Sequence, residues 1–134
     1  MIELSKDKLL SLKNQLEGEL LFDETIKKLY ATDASAYREI PQAVCFPKND
    51  KDIEVLIEFA QKEKSSLIPR TAGTSLAGQV VGNGIIVDVS KTYNEILEVN
   101  EKESWARIEP GVIRDDFNHY LKQFGLFYGP ETST

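Results

Sequence analysis

The stretch Leu67-Ile68-Pro69-Arg70-Thr71-Ala72-Gly73-Thr74-Ser75-Leu76-Ala77-Gly78-Gln79 decides how this chain is expected to fold. Its apolar start predicts a short strand, and the small and polar residues that follow predict a loop. Gly73 and Gly78 allow backbone conformations and close approaches that a side chain would forbid. Successive backbone N–H groups in such a loop can form a concave site for phosphate oxygens. The side chains that would add donors or positive charge at its edge are Arg70, Thr71, Thr74 and Ser75.

Two other phosphate-binding motifs fit this stretch less well. A Walker loop ends in Gly-Lys-Ser/Thr, but no lysine lies between Lys64 and Lys91. The dinucleotide motif G-x-G-x-x-G is absent, because the two loop glycines are five residues apart. A plain surface loop is an equally good interpretation on spacing alone. The residues therefore leave an anion-binding loop and a surface loop open.

The composition is that of an ordinary globular domain, with 134 residues, 41% of them hydrophobic and 28% charged. The net charge of −6 argues against a nucleic-acid partner. A single cysteine, Cys45, excludes an internal disulfide and a cysteine metal cluster, so no metal site is expected. The sequence has no apolar run of transmembrane length, and its start lacks the apolar segment of a signal peptide. We therefore expect a cytoplasmic location.

Residues 1–38 predict a helical lead-in. Leucines at helical spacing indicate one helix that ends near Gly18, and Asp23 is expected at the start of a second, short helix. The residues predicted to face inward are Leu9, Leu12, Leu16, Ile26 and Leu29. Residues 30–38 lose the helical spacing and predict a loop.

The middle of the chain predicts three strands, at Ala43–Phe46, Leu67–Pro69 and Ile85–Asp88. A helix capped by Asn49 or Asp50 is expected between the first two strands, which should therefore run parallel. The residues predicted on its inner face are Ile53, Leu56, Ile57 and Ala60. Cys45 lies within the first strand, which favours a small core residue over a nucleophile.

Residues 96–109 predict an antiparallel hairpin around a polar turn, and a helix follows Pro110-Gly111. The residues of this helix predicted to face inward are Ile113, Phe117, Leu121 and Phe124. Gly125 is expected at its C′ position, and His119 on its polar side is expected at the surface. The predicted class is therefore α+β, with a small three-stranded parallel sheet that carries helices, followed by the start of an antiparallel sheet.

Six motifs, in this order, resemble those of the FAD-binding type-2 domain of the vanillyl-alcohol oxidase/PCMH flavoprotein family. They are Tyr30-Ala-Thr-Asp33-Ala-Ser35, Ala43-Val44-Cys45-Phe46-Pro47, Arg70-Thr-Ala-Gly73-Thr74-Ser75-Leu-Ala-Gly78-Gln79, Ile86-Val87-Asp88-Val-Ser90-Lys91, Glu109-Pro110-Gly111-Val112 and Gly129-Pro130-Glu131-Thr132-Ser133. The branch that the chain resembles most contains D-lactate dehydrogenases and glycolate-oxidase flavoprotein subunits. By this resemblance, residues 39–134 are the N-terminal part of such a domain.

The resemblance implies that the loop after the second strand holds the pyrophosphate of FAD. The cofactor-binding residues it implies are Arg70, Thr71, Ala72, Gly73, Thr74, Ser75, Gly78, Gln79, Pro130, Glu131 and Ser133. Pro47 and Asp88 match positions near the nucleotide, although a strand end and a turn carboxylate explain them equally well. Pro110-Gly111 matches the turn before the helix that flanks the flavin, or is simply a helix start. Some relatives attach the flavin through a histidine in the loop, which this loop lacks, so FAD is expected to bind non-covalently.

The function implied by the resemblance is FAD-dependent oxidation of a 2-hydroxy acid, of the D-lactate or glycolate type, to the 2-oxo acid. The family's catalytic residues and substrate site would lie beyond residue 134, so no catalytic residue is assigned here. The implied partner is an iron–sulfur domain or subunit, and a location at the membrane periphery is also compatible with the resemblance for the full-length protein. Residues 1–134 alone are expected to be inactive and to bind FAD poorly. The alternatives are a nucleotide-phosphate-binding module without redox activity and a purely structural domain.

The predicted hairpin begins a sheet with an open edge, and unpaired edge strands invite pairing with another chain. We therefore expect residues 1–134 to self-associate through this edge. Sedimentation at high protein concentration checks this expectation, and a monomer at every concentration would contradict it.

Overall fold

The computed structural model describes residues 3–131 and confirms the α+β class, with a four-stranded sheet and a separate two-stranded sheet. The helices are α1 (Lys6–Lys13), α2 (Glu24–Leu29), α3 (Asp50–Glu63) and α4 (Arg114–Leu121), which continues as a 3₁₀ turn over Lys122–Phe124. The strands are β1 (Glu19–Leu21), β2 (Ala43–Phe46), β3 (Leu67–Arg70), β4 (Ile85–Asp88), β5 (Ile96–Asn100) and β6 (Trp105–Ile108). Among the described residues, no helix has the length and apolar character needed to cross a membrane.

The larger sheet has the strand order β1-β2-β4-β3, and its last three strands are parallel as predicted. The central strand β4 is buried along its whole length. One face of the sheet packs against α1 and α3 through Leu12 and Leu56, neither of which is exposed. Cys45 of β2 lies in the same core, where burial raises the pKa of its thiol to about 12. The prediction of a core cysteine is therefore confirmed.

Strand β1 is the main difference from the sequence prediction, which placed residues 1–29 in helices. Helix α1 ends at Lys13, well before Gly18, and β1 pairs antiparallel with β2. Leu20 lies opposite Cys45 and is fully buried. Gly18 is needed because a Cβ there would clash with the carbonyl oxygen of Phe46. The glycine thus admits a close backbone approach and does not end a helix.

Several predicted helix features are confirmed, and three of the predicted inward residues are not. Asp23 and Asn49 cap α2 and α3 through their side chains, and Gly125 adopts a left-handed φ of 65°. The residues predicted inward but found exposed are Leu29 (66%), Ile57 (45%) and Ile113 (65%). Each of these residues lies at the edge of the apolar face of its helix. Helical spacing alone does not show how much of that face the rest of the protein covers. His119 is exposed, as predicted.

The hairpin of β5 and β6 forms its own two-stranded sheet, with an irregular register between Ile96 and Glu98. Helix α4 buries Phe117 and Leu121. The hairpin nevertheless leaves large apolar side chains exposed, among them Leu97, Trp105 and Ile108. Self-association through this hairpin remains a prediction.

Asp52 ties the N-terminal segment to the sheet layer. Its buried carboxylate accepts hydrogen bonds from the backbone N–H groups of Glu17, Gly18 and Lys48, each at 2.8 Å. Burial acts to raise the pKa of this carboxyl, but the three backbone donors outweigh burial and hold the pKa below its usual value. One charged side chain therefore fixes the turn before β1 against the end of β2.

We expect Asp52→Asn to lower the free energy of unfolding by about 1–3 kcal/mol, because an amide group would face buried N–H donors. Urea denaturation measures the loss. Glu54→Gln is the control, since it makes the same charge change at an exposed position of α3, and it should alter stability by less than about 0.5 kcal/mol.

The pH dependence follows from the lowered pKa of Asp52. The stabilisation by this carboxylate is present above the ordinary aspartate pKa near ~4 and is lost as pH falls through the lower pKa of the folded state. The difference in the free energy of unfolding between wild type and Asp52→Asn should therefore stay constant from about pH 7 to about pH 5 and become smaller below about pH 4. A difference that vanished near neutral pH would contradict this assignment.

Candidate functional site

A cleft of about 910 Å³ lies at the carboxyl ends of β3 and β4. Its size and its place at the ends of parallel strands are typical of ligand sites in α/β proteins. It is lined by Thr71, Ala72, Thr74, Ser75, Leu76, Gln79, Ser90, Pro110, Gly111, Val112, Ile113 and Arg114. Two of the motifs singled out in the sequence, residues 71–79 and residues 110–112, thus form walls of one cleft.

The loop of residues 71–79 keeps a run of backbone donors free. The backbone N–H groups of Ala72, Gly73, Thr74 and Ser75 donate no hydrogen bond to any residue in the range 3–131. Ala72 and Thr74 are exposed, so this run of backbone donors is open to solvent or to a ligand. Such a run is suited to an anion. Small side chains at these positions leave the backbone accessible.

Ser75 organises the far end of the loop. Its hydroxyl donates to Oε1 of Gln79 at 2.9 Å and accepts from the backbone N–H groups of Ala77 and Gln79 at 3.2 Å. Gly78 has a φ of +69°, and a Cβ there would lie 2.8 Å from Cδ2 of Tyr37. The Ser75 hydroxyl therefore shapes the loop, and its hydrogen is already used within the protein.

Arg70 lies beneath the loop, whereas the sequence suggested that its charge stood at the edge. Its Nη1 donates to the carbonyl oxygens of Tyr30 and Val80, both at 3.4 Å, and its Cζ is 5.0 Å from the centre of the Tyr30 ring. Gly73, directly above, has a φ of +70°, and a Cβ there would lie 2.5 Å from Nη2 of Arg70. The guanidinium group therefore supports the loop from below.

Asp88 anchors the second wall of the cleft from the end of β4. It is almost fully buried, and its Oδ2 accepts a 2.6 Å hydrogen bond from the hydroxyl of Tyr30. Its Oδ1 accepts from the backbone N–H of Ser90 at 2.9 Å and from the Ser90 hydroxyl at 2.6 Å. Asp88 thus acts as a turn carboxylate. This is one of the two roles that the sequence left open for it, the other being a position near the nucleotide. Its partner Tyr30 is 58 residues away in the chain, so no local pattern could reveal it.

Gly111 joins the wall formed by residues 110–114 to the turn that follows β4. Its N–H donates to the carbonyl oxygen of Tyr93 at 2.7 Å, and a Cβ would lie 2.5 Å from that oxygen and 3.1 Å from Ser90. Arg114 is the one cationic side chain among the described residues that line the cleft, and its Nη2 lies 2.8 Å from Oδ1 of Asp115. The sequence did not single out Ser90, Ile113 or Arg114 as site residues.

The remaining predicted site residues do not line the cleft. Pro130 and Glu131 are exposed, and the Oε1 of Glu131 lies 3.9 Å from Nη1 of Arg114, which lines the cleft. Ser133 lies outside the described residues. Pro47 is buried at the end of β2, where its carbonyl oxygen accepts from the Thr92 hydroxyl at 2.7 Å. Within residues 3–131 there is no cluster of side chains suited to a metal ion.

A family model described as an FAD binding domain matches residues 41–134. The chain is 48% identical over 107 residues to D-2-hydroxyglutarate dehydrogenase of Escherichia coli (strain K12), a match that covers 78% of this chain and 10% of the relative. It is 32% identical over 124 residues to the glycolate oxidase subunit GlcD of Bacillus subtilis (strain 168), covering 90% of this chain and 26% of the relative. The chain therefore spans between a tenth and about a quarter of the length of these relatives.

The fold is shared with solved structures. A solved structure of alkyldihydroxyacetonephosphate synthase superposes with a TM-score of 0.78 at 18% identity, covering 96% of this chain and 27% of that chain. At this identity the likeness shows the fold alone. The cleft residues also fit a dinucleotide, because unbonded N–H groups meet the need of a diphosphate for donors. The resemblance stated from the motifs is confirmed: the chain belongs to the FAD binding domain family, its relatives include the D-2-hydroxyglutarate dehydrogenase and the glycolate oxidase subunit named above, and its cofactor is FAD.

Proposed function

We propose that this chain is the FAD-binding portion of a flavin-dependent oxidoreductase that oxidises a 2-hydroxy acid to the 2-oxo acid. The observation that carries the proposal is the cleft in which the unbonded backbone donors of residues 72–75 share one space with residues 110–114. The names of the two relatives support the substrate class, because D-2-hydroxyglutarate and glycolate are both 2-hydroxy acids. The higher identity to the first relative makes D-2-hydroxyglutarate the first substrate to test.

The loop residues are proposed to hold the diphosphate of FAD. Backbone N–H groups of residues 72–75 and the hydroxyls of Thr71 and Thr74 would donate to its oxygens, and each charge-assisted hydrogen bond contributes about 1.5–3 kcal/mol. Gly78 and Gln79 would close the loop through Ser75. Arg70 would act indirectly, by holding Gly73 in place. The loop has no histidine, so we propose that FAD binds non-covalently.

The residues that line the cleft indicate which part of the reaction belongs to the flavin and which part belongs to this chain. Bound flavin would supply the redox chemistry, by accepting the two electrons that leave the substrate. The residues of this chain would bind the nucleotide, orient it and shield it from water on the loop side. The group that takes the substrate proton is proposed to lie in the part of the relatives' length that this chain does not span. A cytoplasmic location, with an iron–sulfur domain or subunit as electron acceptor, also belongs to this proposal.

The first test uses the natural protein that carries residues 1–134, purified under native conditions. We expect flavin absorbance, release of FAD on denaturation, and loss of the oxidised flavin spectrum when D-2-hydroxyglutarate, D-lactate or glycolate is added without oxygen. The L enantiomers of the first two acids serve as controls. Release of a nucleotide that lacks a flavin ring would instead favour a phosphate-binding module without redox activity.

The second test changes the loop. Gly73→Ala adds a Cβ that meets the Arg70 guanidinium and strains a left-handed φ, so the dissociation constant for FAD should rise by roughly tenfold or more. Titration of the apoprotein with FAD, followed by flavin fluorescence, measures it.

Gly125→Ala is the matched control for this test. Gly125 has a similar φ of 65°, but nothing lies within 4 Å of its added Cβ, and it is not among the cleft-lining residues. It should cost about 1 kcal/mol of stability and leave FAD binding unchanged. Equal effects of the two variants on FAD affinity would show that the loop geometry is not what binds the nucleotide.

A further inference from the structure

Tyr30 lies outside the cleft but contacts the anchors of two of its walls. It is the C-cap residue of α2 and is half-buried. Its hydroxyl donates to Asp88, while its carbonyl oxygen and its ring both contact the guanidinium of Arg70. Its ring also packs edge-to-face on Phe46, with the ring centres 6.0 Å apart. A single side chain is thus fixed against the end of β2 and touches the last residues of β3 and β4.

Arg70 and Asp88 are paired in the register of β3 and β4, and each begins one wall of the cleft. Arg70 supports Gly73 and also holds the carbonyl oxygen of Val80, so it fixes the loop near both of its ends. Asp88 fixes the N–H and the hydroxyl of Ser90, which lines the cleft. The distance between the loop and Ser90 therefore depends on how Arg70 and Asp88 are held relative to each other.

We propose that Tyr30 is a positioning residue for the FAD cleft, which holds the phosphate-binding loop and the Ser90 turn at the spacing that the nucleotide needs. This inference rests on the proposed function of the cleft. Tyr30 does not line the cleft, so it acts through Arg70 on one side and through Asp88 on the other. Cation–π contact and a hydrogen bond to a carboxylate are both strong when partly desolvated.

The hydroxyl of Tyr30 stays a donor over the whole neutral range. Burial raises its pKa above the usual tyrosine value, and the hydrogen bond to the negative Asp88 raises it further. Removal of this hydroxyl leaves Oδ2 of Asp88 without its 2.6 Å partner in a site that is 4% exposed. A buried carboxylate oxygen that loses its donor is left unsatisfied, and the other donors that Asp88 has among the described residues both belong to Ser90.

Tyr30→Phe tests the proposal in the natural protein that carries this chain, because it deletes the hydroxyl and keeps the ring and the carbonyl oxygen. We expect the dissociation constant for FAD to rise roughly tenfold, in line with the loss of one hydrogen bond to a charged group. Tyr120→Phe is the control. It makes the same change at an exposed tyrosine of α4 that is not among the cleft-lining residues, and it should change FAD affinity less than about twofold.

Two further measurements separate positioning from a general structural role. Hydrogen exchange of the apoprotein should accelerate at the amides of residues 71–80 and 90 in Tyr30→Phe, while amides of α1 and α3 keep their protection. A double-mutant cycle with Ser90→Ala should be non-additive in FAD affinity, because both changes act through Asp88.

The outcomes distinguish the inference from the function on which it rests. An unchanged dissociation constant with a lowered melting temperature would show that Tyr30 only stabilises the fold. Additive effects in the cycle would show that it does not act through Asp88 and Ser90. Wild-type protein that binds no FAD would overturn the proposed function, and with it the role of Tyr30, whereas wild-type binding with a normal Tyr30→Phe overturns the positioning role alone.

Discussion

The loop at residues 71–79 is supported from below by the guanidinium of Arg70, which lies against Gly73. Its backbone N–H groups at residues 72–75 donate to no other residue in the range 3–131. Here Arg70 binds the carbonyl oxygens of Tyr30 and Val80, and Ala34 donates to the carbonyl oxygen of Gly73. The carbonyl oxygens of Gly73 and of Val80, the residue after the loop, thus have partners inside the protein, while the N–H groups of residues 72–75 have none among the described residues.

The backbone donors of this loop also offer a way for a negatively charged chain to bind a diphosphate. The chain has a net charge of −6, and Arg114, the cation that lines the cleft, is already paired with Asp115. Side-chain charge is therefore a small part of the attraction that the cleft offers. Oriented backbone dipoles in a half-enclosed cleft act at short range and need no net positive charge. If the cleft holds a diphosphate, as we propose, its recognition would depend on the shape of the loop, to which the left-handed backbone at Gly73 and Gly78 contributes.

The sequence predicted those features that local patterns specify. The spacing of apolar residues and turns predicts strands β2 to β4 and the hairpin. Residues with strong local preferences predict the cap at Asn49 and the left-handed backbone at Gly125. Strand β1 was missed because three residues cannot display an alternating pattern, and because the role of Gly18 depends on Phe46, which is distant in the chain. Residues 71–79 were found from their glycines and hydroxyls, but the inward turn of Arg70 depends on a tyrosine ring 40 residues earlier. A sequence pattern shows which side chains are present. It does not show which of them, like Arg70, supports the loop through contacts with residues distant in the chain.

The same dependence on distant contacts extends to the width of the cleft. Ser90 is held by Asp88 on one side, and the Cα of Gly111 lies so close to Ser90 and Tyr93 that a Cβ there would clash with the Tyr93 carbonyl oxygen. The wall at residues 110–114 is therefore located by the turn after β4, and that turn is located by the Asp88 carboxylate. Since Arg70 and Asp88 are register partners, the parallel pairing of β3 with β4 places the anchors of the loop and of the Ser90 turn side by side, and Tyr30 contacts both of them. Walls held in this way need no flexible side chain to close on a ligand, which lowers the entropic cost of binding.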